Sequence, residues 1–293
     1  SHPERVLAKK HTVCTIRQKK SRGEKITALT AYDFPTARIV DDAGMDIVLV
    51  GDSLGMVVQG ESSTLPVDMA AMLYHTRIVR RAVRSALLVA DLPFGAYQES
   101  SIQAVHNSIR LVKESGAEGV KLEGGRRRLP AVTAILDAEI PVMGHLGLTP
   151  QSFHRLGGYR IQGRTVAEIE NLIEDALALQ AAGCFAVVLE GIPHPVAAII
   201  TRQLEIPTIG IGSGPACDGQ ILVLHDMLGL GDTPPFKFVR SYARLAEEMI
   251  RAVQRYGADV VAGSFPSIDE SFTLDPEVQR EVEGRYGTHH QDQ

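Results

Sequence analysis

The sequence predicts a single (β/α)8 barrel, on three observations. Short runs of β-branched and aliphatic residues alternate with longer helical stretches from about residue 26 onward. These runs do not alternate polar with apolar, so each reads as a strand buried on both faces, as in a parallel sheet wrapped by helices. Charged residues recur where the runs stop, which is where such barrels carry their chemistry. An open doubly wound sheet would use the same elements, but it needs a reversal of strand order that a sequence does not display.

Residues 1–22 are basic and polar (Lys9-Lys10, Arg17, Lys19-Lys20) and read as an N-terminal extension with a short helix. The first strand, 26–33, ends in Tyr32-Asp33, and a helix from 34 to 43 stops at Gly44. The central strand is Ile47-Val48-Leu49-Val50, broken by Gly51-Asp52-Ser53-Leu54-Gly55. Its glycines let the chain leave the strand sharply and let a ligand approach the backbone. Asp52 then stands at a strand end, or caps the helix that follows. A helix over 67–84 sets Arg77, Arg80, Arg81 and Arg84 at helical spacing, which suits a solvated face or a subunit contact.

The pattern then repeats. Strand 87–93 carries Asp91, and a helix over 101–115 follows it. Strand 119–125 puts Lys121 and Glu123 on one face, two residues apart. After a helix over 129–138, strand 141–147 carries His145. Residues 150–164 are too irregular for a standard connection and read as a mobile loop over the site. A helix over 165–182 leads to strand 186–191 with Glu190, then a helix over 194–204 and strand 207–214. The eighth strand is assigned to 236–239 and the last helix to 243–256. No linker divides the chain, so the barrel is taken to span 23–272, with 273–293 as a tail.

Composition narrows the function. The 293 residues are 44% hydrophobic and 22% charged, which is ordinary for a globular chain with a large core. A net charge of -5 disfavours a nucleic-acid binder. Three cysteines without a CxxC pair suggest a reducing compartment rather than a disulfide scaffold. No apolar run approaches the roughly 20 residues of a membrane span, and no secretory signal is visible.

Asp52, Ser53, Asp91, Lys121, Glu123, His145 and Glu190 stand at strand ends, and a closed barrel brings them to one mouth. Asp52, Asp91 and Glu123 would repel one another unless a cation lay among them. All-oxygen ligation suits a hard ion, Mg²⁺ first and Mn²⁺ or Ca²⁺ second. Any one of these carboxylates is equally explained as a cap or an ion-pair partner; the set of three points to metal. Lys121 either pairs with Glu123 or Asp91 or holds an anionic substrate. His145 suits proton transfer, stacking on a ligand, or a satisfied place in the core. Glu190 follows Val187-Val188-Leu189, away from the metal carboxylates, so it can be free and basic; a buried pair or a further metal ligand are the alternatives. Gly210-Ile211-Gly212-Ser213-Gly214 is too weak a motif for a dinucleotide site. The set suits metal-assisted proton chemistry on a small 2-oxo acid, but it does not name the electrophile.

These residues lie within a longer set of motifs. Thr30-Ala31-Tyr32-Asp33, Val50-Gly51-Asp52-Ser53-Leu54-Gly55-Met56, Ser63-Thr64-Leu65-Pro66-Val67 and Ala90-Asp91-Leu92-Pro93-Phe94 come first. Val120-Lys121-Leu122-Glu123-Gly124-Gly125, Gly144-His145-Leu146-Gly147-Leu148-Thr149-Pro150-Gln151, Gly157-Gly158-Tyr159, Gly210-Ile211-Gly212 and Cys217-Asp218-Gly219-Gln220 follow. In this order, over roughly residues 10–272, the chain closely resembles the ketopantoate hydroxymethyltransferases. The resemblance implies a barrel of the phosphoenolpyruvate/pyruvate-binding type. It implies transfer of a hydroxymethyl group from 5,10-methylenetetrahydrofolate to 3-methyl-2-oxobutanoate, through a Mg²⁺-stabilised enolate, on the way to pantothenate. By matching motif, Asp52, Asp91 and Glu123 fall on the family's Mg²⁺ positions. Asp52, Ser53, Asp91 and Lys121 fall on its oxo-acid contacts, with His145 beside them, and Glu190 falls on its proton acceptor. A cytoplasmic homodecamer is implied as well. Two departures stand out: Gly191 follows Glu190 where a bulkier residue is common, and the segment 265–272 lacks the family's histidine. A lyase of the isocitrate lyase type would carry a catalytic cysteine loop, which Cys184 and Cys217 do not form. A non-catalytic relative would be expected to lose site carboxylates, and none is missing.

Overall fold

A computed structural model of the chain describes residues 9–158, 161–231 and 236–287. Tyr159, the end of one family motif, lies outside them, as do residues 1–8 of the N-terminal extension and the last six of the tail. Eight parallel strands close in sequence order into a barrel. They are β1 (Ile26–Thr30), β2 (Ile47–Val50), β3 (Leu87–Asp91), β4 (Gly119–Glu123), β5 (Val142–Gly147), β6 (Ala186–Glu190), β7 (Thr208–Ile211) and β8 (Gly219–Leu222). In chain order the helices are α1 (Val13–Ser21), α2 (Phe34–Asp42), α3 (Leu54–Val57), α4 (Met69–Ala82), α5 (Ser101–Ser115) and α6 (Leu129–Asp137). They continue as α7 (Phe153–Leu156), α8 (Val166–Ala182), α9 (His194–Gln203), α10 (Leu224–Leu228), α11 (Leu245–Ala262) and α12 (Pro276–Tyr286).

The continuous apolar runs are explained by two cores. Val48, Val50, Leu88, Ala90, Val120, Leu122, Val187 and Leu189 pack outward against the helices. Ile26, Ala28, Ile47, Leu49, Leu87, Val89, Met143, Val188, Ile209 and Ile221 fill the barrel. Alternate residues of a strand face opposite sides, so every run must be apolar on both. Ile16 of α1 joins the interior cluster and is fully buried. Lysines of α1 anchor it there: Lys19 on Asp46, and Lys20 on Asp218. The N-terminal helix thus closes the end of the barrel opposite the strand C-termini.

The eighth strand is Gly219–Leu222, not 236–239. It completes the barrel between β7 and β1, with Ile26 opposite Gly219. A side chain at Gly219 would crowd the Ile26 carbonyl at 2.5 Å, so the register selects a glycine where an apolar run was expected. Residues 236–239 form a turn instead, and Phe238 covers Gly212. The arginines of α4 are also partly engaged within the fold. Arg77 donates to the Glu114 carbonyl at 3.1 Å, and Arg80 stands 3.6 Å from Glu118. By compactness the chain divides into residues 1–243, which hold all eight strands, and 244–293. In the second unit, the last long helix runs from Leu245 to Ala262 and exposes Met249, Val253, Tyr256 and Val260 at helical spacing.

Candidate active site

The site residues continue the inward register of the barrel interior. Asp91 lies two residues after Val89, His145 two after Met143, and Glu190 two after Val188, so each points where its apolar predecessor points. Lys121 and Glu123 share the inner face of β4. Strand register then sets neighbours: Asp91 opposite Lys121, Glu123 opposite His145, and Gly147 opposite Glu190. A side chain at Gly147, whose φ is +95°, would run into the Glu190 carbonyl, so glycine keeps β5 and β6 close there.

Asp52 arrives from the turn after β2. Gly51 makes this possible, because a Cβ at that position would stand 2.9 Å from Ser53 Oγ and 3.4 Å from Asp91 Oδ2. With no side chain in the way, the Asp52 backbone N–H donates to Asp91 Oδ2 at 3.0 Å. Asp91 Oδ1 lies 3.0 Å from Lys121 Nζ, poorly directed for a hydrogen bond but close enough to share charge. Lys121 Nζ is 3.4 Å from His145 Nδ1. Nδ1 of His145 is also 3.5 Å from Glu123 Oε1, and Nε2 stands 3.1 Å from Glu190 Oε2. Ser53 sits at the head of α3, and its hydroxyl pairs with Tyr32 Oη at 2.7 Å. All seven expected residues therefore meet at one mouth. Glu190 is not free, however: His145 stands against it.

Electrostatics follow from that packing. Burial, then repulsion from Asp91 and Glu123, push the Asp52 carboxyl well above the usual carboxylate range; Lys121 and a hydrogen bond from Gln151 offset this only in part. Burial works against the Lys121 ammonium, but Asp91, Glu123 and Asp52 hold it protonated well above an ordinary lysine. Burial and Lys121 both oppose charge on His145, yet Glu123 and Glu190 override them and hold its pKa up at about 9.

Two residues of this mouth were not singled out from sequence. Gln151, in a 3₁₀ turn over Pro150–Ser152, is buried against the carboxylates. Tyr97, also buried, donates to Gln151 Oε1 at 2.6 Å. The residues expected to begin a mobile loop thus begin with a packed turn. The Thr149-Pro150-Gln151 motif just past a strand end is the signal that marks them.

Among the described residues, no three His, Cys, Asp or Glu side chains converge into a ready metal cage. The donor set fits a hard cation of lower demand. Mg²⁺ keeps several waters and takes one or two carboxylates, and Asp52 and Asp91 lie side by side. Glu123 Oε1 is buried with no hydrogen-bond partner among the described residues, 3.5 Å from His145 Nδ1. Four carboxylates, Asp52, Asp91, Glu123 and Glu190, meet two basic side chains, Lys121 and His145, which leaves room for a divalent charge. Because the Gln151 N–H holds Glu123 Oε2 at 3.0 Å, Oε1 is the oxygen Glu123 would offer an ion, directly or through water.

Residues 10–268 match the family described as ketopantoate hydroxymethyltransferase. A 3-methyl-2-oxobutanoate hydroxymethyltransferase of Koribacter versatilis is 55% identical over 274 residues, covering 94% of this chain and 93% of its own. One from Moorella thermoacetica is 56% identical over 261 residues, covering 89% of this chain and 97% of its own. Among solved structures, phosphoenolpyruvate phosphomutase of Streptomyces platensis subsp. rosaceus superposes with TM-score 0.59 at 17% identity, covering 95% of this chain and 100% of its own. A 2,3-dimethylmalate lyase, described as a member of the PEP mutase/isocitrate lyase superfamily, gives 0.56 at 17%, covering 93% of this chain and 94% of its own. At that identity the likeness is one of fold, and the fold is the expected barrel.

Proposed function

From the premise that the chain belongs to the ketopantoate hydroxymethyltransferase family, we propose that it transfers the one-carbon unit of 5,10-methylenetetrahydrofolate to C3 of 3-methyl-2-oxobutanoate. The C3 proton leaves, a carbon–carbon bond forms to the methylene carbon, water supplies the hydroxyl, and tetrahydrofolate and 2-dehydropantoate depart. The product feeds pantothenate synthesis. The observation that carries this reading is the division of the mouth into two sets. A buried set, Asp52, Asp91, Glu123 and Lys121, is built around charge. Beside it, Glu190 stands against His145, itself as buried as that set, and Glu190 has the more accessible carboxylate, 17% exposed in its side chain against 3% for Asp91.

Asp52 and Asp91, with Glu123 beside them, would hold Mg²⁺, which when bound would supply Lewis acidity at the oxo-acid carbonyl and acidify the adjacent carbon. Lys121, protonated throughout the working range, offers a fixed positive charge to the substrate's anionic end, and the Ser53 hydroxyl offers a hydrogen bond. Glu190 takes the C3 proton and passes it toward the folate nitrogen, since a carboxylate bound to a metal is the poorer base. His145, charged between Glu123 and Glu190, orients Glu190 and lines the substrate pocket. The protein is taken to act in the cytoplasm as a homo-oligomer, a homodecamer by resemblance. Its three free cysteines and the exposed apolar side of α11 support that reading. Incubated with Mg²⁺, 3-methyl-2-oxobutanoate and 5,10-methylenetetrahydrofolate, the protein should yield 2-dehydropantoate; no product with all three present contradicts the proposal.

A further inference from the structure

Gln151 touches more of the carboxylate set than any role described so far requires. Its Nε2 donates to Asp52 Oδ2 at 2.8 Å and to the Leu92 carbonyl at 2.9 Å. Its backbone N–H donates to Glu123 Oε2 at 3.0 Å. Its Oε1 accepts from Tyr97 Oη at 2.6 Å and from Gln98 Nε2 at 3.2 Å. Both amide hydrogens and both oxygen lone pairs are therefore used. The orientation of the amide follows from its partners: the Leu92 carbonyl can only accept, so the nitrogen must face it and Asp52. Tyr97 in turn accepts from the Glu123 backbone N–H at 3.1 Å, which ties the tyrosine to β4. Burial, then the nearby Glu123 charge, push the Tyr97 phenol well above its usual range, so it stays a donor.

The consequence is geometric. The terminal torsion of a carboxylate is soft and roughly two-fold. Left alone, Asp52 and Glu123 would turn toward the nearest cation, Lys121 or His145. One oxygen of each is held by Gln151, Asp52 Oδ2 by the side chain and Glu123 Oε2 by the backbone, which fixes the direction of the other oxygen; for Glu123 that oxygen stands 3.5 Å from His145 Nδ1. A glutamate at this position would place a further negative charge beside three; an amide supplies the donors without one.

We propose that Gln151 is a positioning residue that presets Asp52 and Glu123 for a divalent cation, with Tyr97 holding Gln151 in its working orientation. This rests on the metal reading above. The test is Mn²⁺ binding, by calorimetry and by the electron paramagnetic resonance line shape of the bound ion, on chelator-stripped full-length protein. The variants are Gln151→Ala, Gln151→Met and Tyr97→Phe. Loss of an outer partner of a metal ligand weakens metal affinity about 10–100-fold, and that is the loss expected for Gln151→Ala, with an altered line shape. Gln151→Met fills the same space without the side-chain hydrogen bonds, keeps the backbone donation to Glu123, and should lose as much through Asp52; Tyr97→Phe should lose less, in the same direction. If Gln151→Met binds Mn²⁺ as tightly as the parent, Gln151 acts by packing and the proposal fails. If Gln151→Ala does not fold, Gln151→Met and Tyr97→Phe decide. A parent that binds no Mn²⁺ overturns the metal reading, and the proposal with it.

Discussion

Asp52 and His145 show what burial and neighbouring charge do to proton binding at the mouth. Both groups bind protons more tightly in the fold than as ordinary side chains: Asp52 is raised first by burial and then by its carboxylate neighbours, and His145 is held at about 9 against 6.5. A group whose folded pKa is raised contributes stability that is fully present below its unfolded value and is lost as pH rises through the folded one. For His145 that window runs from about pH 6.5 to 9. In chelator, the protein should therefore lose roughly 2–4 kcal/mol from this group across the window, read as a falling urea midpoint. His145→Gln should flatten the slope. A midpoint that rises over the same range, or a slope that His145→Gln leaves unchanged, contradicts the assignment. At this scale the sequence was highly legible. Asp91, Glu123 and Glu190 each end a strand, Lys121 and His145 lie two residues before an end and Asp52 two after one, and strand ends in such barrels converge. What sequence did not convey was pairing. That Glu190 meets His145 depends on β5–β6 register and on the close approach at Gly147. Gln151 was passed over because a glutamine beyond a Pro carries no charge to flag it.

Among the elements, the ones with simple chemistry were read correctly and the others were not. β2, β3 and β6 are unbroken aliphatic runs, and their positions match expectation. β8 has glycine and glutamine in its four residues, so it carries little strand pattern of its own; barrel closure between β7 and β1 imposes it. Phe236 and Phe238 imitated a strand because they stack on each other and over a glycine turn. Arg77, Arg81 and Arg84 are exposed, as a solvated face requires, while Arg77 and Arg80 also reach the C-terminal end of α5 and the residue before β4. The role of α1 could not be read from its polar composition, because only the buried Ile16 and the partly buried Val13 carry its apolar contact with the barrel interior. Ile16→Ala should lower stability by about 2–5 kcal/mol, as for other large-to-small changes in a core. The urea midpoint should shift accordingly, while metal affinity at the far end of the barrel stays put. An unchanged midpoint would show that α1 does not close the barrel.

At the scale of the whole molecule, two expectations remain to be measured. The helix α11 exposes Met249, Val253, Tyr256 and Val260 along one side, more apolar surface than a solvated helix needs. Light scattering at micromolar concentration should therefore give a mass several times the 31.7 kDa of one chain, ten times for the decamer; a monomer mass refutes the assembly. The other expectation concerns the mouth that the closed barrel creates. Strand ends from β2 to β6 contribute to it, and the central claim is that it removes a proton from C3 of 3-methyl-2-oxobutanoate through Glu190. The direct measurement is exchange of that hydrogen in D2O, followed by NMR with Mg²⁺ present and folate absent. The parent should exchange it, and Glu190→Gln should slow exchange about 10²–10⁴-fold, the usual contribution of a general base, while binding Mg²⁺ and the oxo acid nearly as before. If Glu190→Gln exchanges as fast as the parent while His145→Gln does not, the base is His145 and the account of this site is wrong.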